Sequence, residues 1–280
     1  MNHSFWRRFR RNRGATLGLA FLIFIVLLAA FGPFFAANDP WDMVSSPFVP
    51  PMGEPHLLMG TDTLGRDVLS GVIYGARVSL LIGVISTVVS LLIGVSLGAI
   101  AGYFGGWVDA SLMRFTEMFQ AVPSFALAIV LVAIFEPSIY SIVAAIAVVS
   151  WQPVARLVRG EFLTLRQRDF VSAALLAGES TPRVILTQIL PNALSPIVVM
   201  ASLMIATAIL LESSLSFMGL GDPNMMSWGY MIGAARTVLR NAWWMAAFPG
   251  LAIVLTVLAL NLVGEGLNDG LNASAGGRGR

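Results

Sequence analysis

The 280-residue sequence has no cysteine, no lysine and only two histidines, and only 11% of its positions are charged. Each shortage closes off some chemistry. Without cysteine there is no disulfide, no thiolate metal ligand and no thiol nucleophile. Without lysine there is no Schiff base and no Walker A loop, whose Lys must reach the phosphates, so the chain cannot hydrolyse ATP by that route. All 17 basic residues are Arg. His3 and His56 lie far apart and flank apolar stretches; they read as solvated loop residues, not as a metal site. A soluble domain carries roughly 25% charged residues. This chain is 57% hydrophobic with mean hydropathy +0.81, and we read it as an all-α membrane protein.

What the sequence does have is long uncharged runs. A charge at mid-bilayer is expensive and a spanning helix needs about 20 apolar residues. Six stretches meet or approach that requirement: 14–38, 78–108, 118–135, 137–155, 184–211 and 241–264. Only Glu136 separates the third from the fourth, so a tight turn at Phe135-Glu136-Pro137 is expected. The stretch 223–235 is uncharged but short and rich in turn residues, and it reads as lying outside the membrane core. The expected layout is a basic segment 1–13, a first span 14–36, an external loop 37–76, a membrane region 77–266 that includes a loop at 156–191, and a tail 267–280.

Arginine sets the orientation. Arg7, Arg8, Arg10, Arg11 and Arg13 precede the first span, and basic flanks stay in the cytoplasm. The beginning of the chain does not read as a cleaved signal peptide, and the adjacent span argues against a nucleic-acid arm. After four crossings the chain is inside again, where 156–183 carries Arg156, Arg159, Arg166, Arg168 and Arg183; Arg278 and Arg280 follow the last span. Both termini are expected in the cytoplasm.

The stretch 169–191, DFVSAALLAGESTPRVILTQILP, is too interrupted to cross a bilayer and too apolar for an ordinary loop. Asp169 opens a short helix with Phe170, Ala173, Ala174 and Ala177 at helical spacing. Gly178 suits a left-handed helix end. Thr181 reads as an N-cap with Pro182 at the first helical position; a second helix to Leu190 follows, and Pro191 marks the start of span five. A lipid-binding helix would carry a basic face and large apolar residues. Small residues and few charges favour docking into a groove of a protein partner over docking to lipid.

This stretch resembles the coupling loop (the E-A-A motif) of membrane subunits of bacterial ABC importers: Ser172-Ala173-Ala174 stand for E-A-A, Gly178 is the motif Gly, and Leu190-Pro191 close it. Ser172 replaces the motif Glu, and Gln188 stands where Ile is usual. Residues 59–77, MGTDTLGRDVLSGVIYGAR, resemble the G-T-D-x-x-G-R-D signature of the dipeptide, oligopeptide and nickel permeases. Residues 212–229 and 248–271 resemble that family's E-x-x-L-S-F-L-G-L-G…W-G segment and its last span. The order of segments matches the C-type subunit of the permease pair. The resemblance implies a type I ABC importer permease with six spans in a prokaryotic plasma (inner) membrane. It implies a homologous permease as heterodimer partner, two ATPase subunits carrying ATP and Mg, and an external solute-binding protein, with no cofactor on this chain. Dipeptides or oligopeptides are the expected cargo, with nickel and glutathione as alternatives.

Several polar groups have two readings. Gly60, Asp62, Gly65, Arg66 and Asp67 could contact substrate or the binding protein; the structural reading is a turn set by the glycines with Arg66 paired to an acid. Glu212 could face the pathway or serve a helix end or subunit contact. Asn261 is expected to bond a neighbouring helix. Arg114 and Glu117 can pair on one helix face beside Asp109. Gly94, Gly98 and Gly102 read as a packing face. The span cores hold no Asp, Glu or His for proton coupling, no charge ring or carbonyl filter, and no His or Lys beside a Ser. A self-powered carrier, a channel and an intramembrane protease are therefore disfavoured against a gate driven by partner ATPases.

Overall fold

Val68–Phe104, the longest uninterrupted α-helix, begins where Asp67 accepts hydrogen bonds from the Leu69 and Ser70 N–H groups at 3.2 and 3.0 Å. A carboxylate at that position satisfies donors a helix start leaves free. In the computed structural model, which describes residues 6–7, 9–36 and 38–275, the helices in chain order are α1 (Arg13–Phe35), α2 (Val68–Phe104), α3 (Gly106–Gln120), α4 (Ser124–Ile134), α5 (Ile139–Leu165), α6 (Asp169–Leu176), α7 (Thr181–Leu220), α8 (Trp228–Ala235) and α9 (Trp244–Ala275). The described residues contain no strand, only two isolated antiparallel bridges, Met43 to Arg66 and Thr61 to Asp67. His3, Arg8, Arg278 and Arg280 lie outside the described residues.

Five helices are long and apolar enough to span a membrane, and α3 with α4 supplies a sixth. That sixth corrects the reading of 118–135 as one span. It is two helices bent by 80°, broken at Ala121–Pro123 because Pro123 disfavours helical backbone at Val122. Gly105 and Gly106, at φ +66° and +56°, reverse the chain between α2 and α3.

α2 and α5 run parallel and form the spine. A Cβ at Gly94 would sit 2.5 Å from Val154 Cβ, one at Gly98 2.5 Å from the Ala155 carbonyl oxygen, and one at Gly102 2.6 Å from Phe162 Cβ. The four-residue glycine spacing is thus a packing face, and it brings the two backbones together where lipid offers no hydrophobic drive. α7 runs antiparallel beside them. Val171, Val184, Ile189 and Ala193 bury against Val158 and Phe162 at one end, and Leu215 packs with Ile142 and Ile146 at the other.

Three further expectations change. The N-cap before the second short helix is Ser180, so Thr181 and Pro182 are its first two residues. No break occurs at Pro191: Val184–Ile189 winds as a π turn, the Leu190 N–H reaches back to the Ile185 carbonyl, and the chain continues helically to Leu215, short of a kink at Gly219. The wider turn accommodates a residue that lacks an N–H. The turn-rich stretch 223–235, expected outside the membrane core, gains a helix: residues 228–235 form α8, capped by Ser227. Trp228 is fully buried there; its backbone N–H donates to Ser79 Oγ and its indole to the Val72 carbonyl.

Candidate functional site

The two segments singled out by sequence lie at opposite ends of the bundle. One precedes α2 and the other follows α5, and those helices are parallel. At the α5 end, Asp169–Leu176 closes in a Schellman turn: the Gly178 N–H donates to the Leu175 carbonyl and the Glu179 N–H to the Ala174 carbonyl. This geometry requires a left-handed residue, and Gly178 has φ +83°. A Cβ there would meet nothing within 4 Å, so its surroundings are open.

The predicted small-residue face divides in two. Ala174 turns inward with Val171, which sequence reading had passed over, and both join the core beside Phe162 and Val184. Asp169, Phe170, Ser172, Ala173, Ala177, Gly178 and Pro191 are exposed, and Leu190 is half-buried. Leu175 and Leu176 are also exposed, Leu176 at 91%. The outward surface is therefore an apolar knob with small residues around it, firmly seated by Val171 and Ala174. Glu179 adds a buried carboxylate oxygen, Oε2, with no hydrogen-bond partner among the described residues.

At the other end, residues 39–67 fold as a cap. Gly60 and Gly65 have φ +76° and +78°, and a Cβ at either would approach Val49 or Ser45 carbonyl oxygens within 2.5 and 2.1 Å. Asp62 Oδ1 accepts from the Leu64 and Arg66 N–H groups at 2.8 and 2.9 Å, and Oδ2 accepts from Arg66 Nε at 2.6 Å. The Arg66 guanidinium lies 5.2 Å from the Trp41 ring centroid. Trp244 Nε1 donates to the Thr61 carbonyl at 3.0 Å, which ties the cap to α9. Both carboxylates of the signature, Asp62 and Asp67, and the Arg66 Nε are used inside the chain. The glycine-set turn and the Arg66–Asp62 pair are present, and Asp62, Arg66 and Asp67 also line a small cavity beneath the cap.

Three polar clusters were not legible as such. Glu212, placed at a helix end by sequence, is interior and 1% exposed. Its Oε1 accepts from Ser216 Oγ at 2.8 Å and Ser227 Oγ at 2.7 Å, clipping α7 to the start of α8. The Ser four residues on is visible in sequence; Ser227 is not. Asp109 does not belong to the exposed Arg114–Glu117 pair, which stands alone at 3.1 Å. It accepts instead from Arg159 Nε and Nη2 at 2.5 and 2.6 Å, joining α3 to α5. Asn261 is exposed and makes no hydrogen bond to another helix; its face of α9 is not covered by this chain. Between α4, α5 and α7 lies an open groove of about 510 Å³, adjoining a pocket of about 250 Å³ with which it shares the lining residues Ser124, Val149 and Pro153.

Known proteins with this sequence pattern are numerous. Residues 94–275 match the family described as binding-protein-dependent transport system inner membrane component, and residues 2–51 match the N-terminal transmembrane domain of oligopeptide transport permease C. The chain is 42% identical to a di/tripeptide transport system permease of Pseudomonas aeruginosa, over 96% of this chain and 90% of the relative. It is 43% identical to the dipeptide transport system permease of Escherichia coli K12, over 96% and 91%. Among solved structures, the MetNI methionine ABC transporter in inward-facing conformations superposes with a TM-score of 0.58 at 16% identity, over 70% of this chain and 93% of that one. An amino acid ABC transporter superposes at 0.55 and 13%, over 71% and 94%.

Proposed function

The chain belongs to the family of binding-protein-dependent transport system inner membrane components, and on that premise we propose that it forms half of the translocation pathway of an ATP-driven importer of dipeptides or oligopeptides. It is an all-α, multi-pass permease of the ABC importer type I fold in a bacterial inner membrane, and it is not itself an enzyme. Hydrolysis of ATP with Mg takes place on two partner ATPase subunits. A homologous permease supplies the other half of the pathway, and an external solute-binding protein delivers cargo at the 39–67 end. Both termini and the 169–191 segment face the cytoplasm, as the arginine distribution requires.

The observation that carries this reading is the seated apolar knob of α6 at the foot of α7, which is helical from Thr181 to Leu215. An ATPase groove closing on Phe170, Ala173 and Leu176 would move a body packed through Val171, Ala174 and Val184 onto α5 and α7. Because Thr181–Leu215 is helical, through one π turn at Val184–Ile189, that displacement passes along α7 to the Glu212 cluster at the far end. The driving force is the different affinity of nucleotide for two states of the assembly. The relatives' peptide cargo supports peptides for this chain.

Replacing Gly178 by Val tests the coupling role. A β-branched residue at positive φ costs about 1–2 kcal/mol and reshapes the turn without touching the core. The variant is expected to fold, to lose co-purification of the ATPase from mild detergent, and to import dipeptide at under about a tenth of the wild-type rate, a change equivalent to about 1.4 kcal/mol. Wild-type uptake by this variant, or ATP-independent transport by the chain purified alone, would rule out the reading.

A further inference from the structure

Gln152 is the midpoint of α5, thirteen residues from Ile139 and from Leu165 and so about 20 Å from either end at 1.5 Å per residue. A buried amide at that depth calls for partners. Gln152 is 4% exposed and lines the 250 Å³ cavity. Its Nε2 donates to the Val148 carbonyl at 2.9 Å, while its Oε1 has no hydrogen bond among the described residues. The next residue, Pro153, has no N–H, so the Val149 carbonyl loses its usual helical donor; Val149 lines the same cavity. Gln152 and Val149, each carrying an acceptor without its helical or side-chain donor, thus line one space toward the cytoplasmic end of the span.

The opposite wall offers donors. The break at Ala121–Pro123 puts the start of α4 against this cavity, with Val122, Pro123 and Ser124 in its lining. α4 has 11 residues, and its N-cap, Pro123, contributes no side-chain bond. The first intrahelical bond runs from the Leu127 N–H to the Pro123 carbonyl, which leaves the N–H groups of Ser124, Phe125 and Ala126 unpaired. They form the positive end of a helix dipole. The hydroxyls of Ser124 and of Ser150, which also line the groove, have no partner among the described residues either, whereas Thr207 and Ser214 bond their own helix. No charged side chain lines either space.

We propose that the broken α3–α4 span and the proline turn of α5 form a transit subsite for a zwitterionic peptide. The peptide carboxylate sits on the free N–H groups of α4 and on Ser124. Its ammonium and amide N–H groups donate to Gln152 Oε1 and the Val149 carbonyl. The absence of full charges keeps the hold weak enough for release, as a conducting path requires, and offers nothing to a bare metal cation. This inference rests on the peptide-importer reading above and assigns residues to it.

The chain's lack of cysteine makes the test direct. Ser124→Cys, Ser150→Cys and, outside the groove, Thr164→Cys are introduced singly and reacted with a small water-soluble maleimide. The sample is the complete complex in proteoliposomes with binding protein and ATP, with and without alanyl-alanine. Dipeptide is expected to slow labelling at 124 and 150 and to leave 164 unchanged. Adding Gln152→Leu is expected to raise the dipeptide concentration for half-protection about five- to tenfold, the value of one hydrogen bond. Gln152→Asn, which keeps a carbonyl oxygen, covers the case in which the Leu variant does not assemble, and it should retain most of the protection. Unaltered labelling in a complex that imports dipeptide, or full protection with Gln152→Leu, overturns the subsite. A wild-type complex that imports no dipeptide overturns the importer reading, and the subsite with it.

Discussion

Replacing Gly98 with Leu should leave no assembled permease in the membrane. A Cβ at Gly98 would lie 2.5 Å from the Ala155 carbonyl oxygen, 2.8 Å from Val158 Cβ and 3.1 Å from Ala155 Cα. These are backbone and stem atoms of α5, which cannot rotate aside, so α2 and α5 would have to separate along their length. Overpacking typically costs about 1–3 kcal/mol. Here it falls on the spine that also seats Val158 and Phe162 beneath the α6 knob, so the upper end of that range is expected, with loss of ATPase association. Detergent-solubilised size-exclusion profiles of a tagged chain provide the measurement. Gly160→Leu is the matched control on α5, because a Cβ there meets nothing within 4 Å. It should be neutral or slightly stabilising, since Leu favours helix over Gly by up to about 1 kcal/mol. Equal profiles for the two variants would show that the glycine stripe does not determine the packing.

The second large effect is expected at the other end of the molecule. Asp62→Ala strips Arg66 of its anion while leaving it buried; the two side chains are 14% and 7% exposed. Breaking a buried pair by removing one partner costs about 3–5 kcal/mol, because the remaining charge stays desolvated. The same change also removes the acceptor for the Leu64 and Arg66 N–H groups. Thermal unfolding in detergent should shift down strongly, and the 39–67 cap should become sensitive to protease. The double variant Asp62→Ala/Arg66→Met should recover part of the loss, since no unpaired charge remains. If Asp62→Ala alone unfolds like wild type, the cap owes its order to the Trp244–Thr61 bond and the glycine turns. If the double variant is worse than the single, the pairing account is wrong.

These two effects also bear on how movement crosses the membrane. α7 is the one helix that carries both the α6 contact and the Glu212 cluster. Its π turns at Val184–Ile189 and Ser216–Leu220 sit where it leaves the coupling segment and where it meets α8. A π turn holds one more residue than an α turn, so at Val184–Ile189 the helix changes pitch without breaking, whereas at Ser216–Leu220 Gly219, at φ +88°, kinks the chain.

Much of this was legible in sequence because membrane helices must satisfy their own backbone. In lipid every N–H and C=O needs an internal partner, so uncharged runs such as 14–38 and 241–264 become helices whatever their neighbours do. Turns and close packing are equally local. Gly178 after Leu176 and the glycine stripe at 94, 98 and 102 each state a backbone requirement that only a few residue types meet. What sequence reading misplaced depends on groups far apart in the chain. Asp109 meets Arg159 fifty residues away, Glu212 is completed by Ser227, and Trp228 is buried because Ser79 and Val72 receive its N–H groups. The broken third span is an intermediate case. Pro123 announces a break, yet only the packing of α4 onto Ile142 and Ile146 turns it into an 80° bend facing Gln152. Local sequence determined which segments are helical, because that energy is settled within a turn or two. Tertiary structure decided which polar groups are buried together, because a buried charge or amide is stable only where another part of the chain supplies its partner.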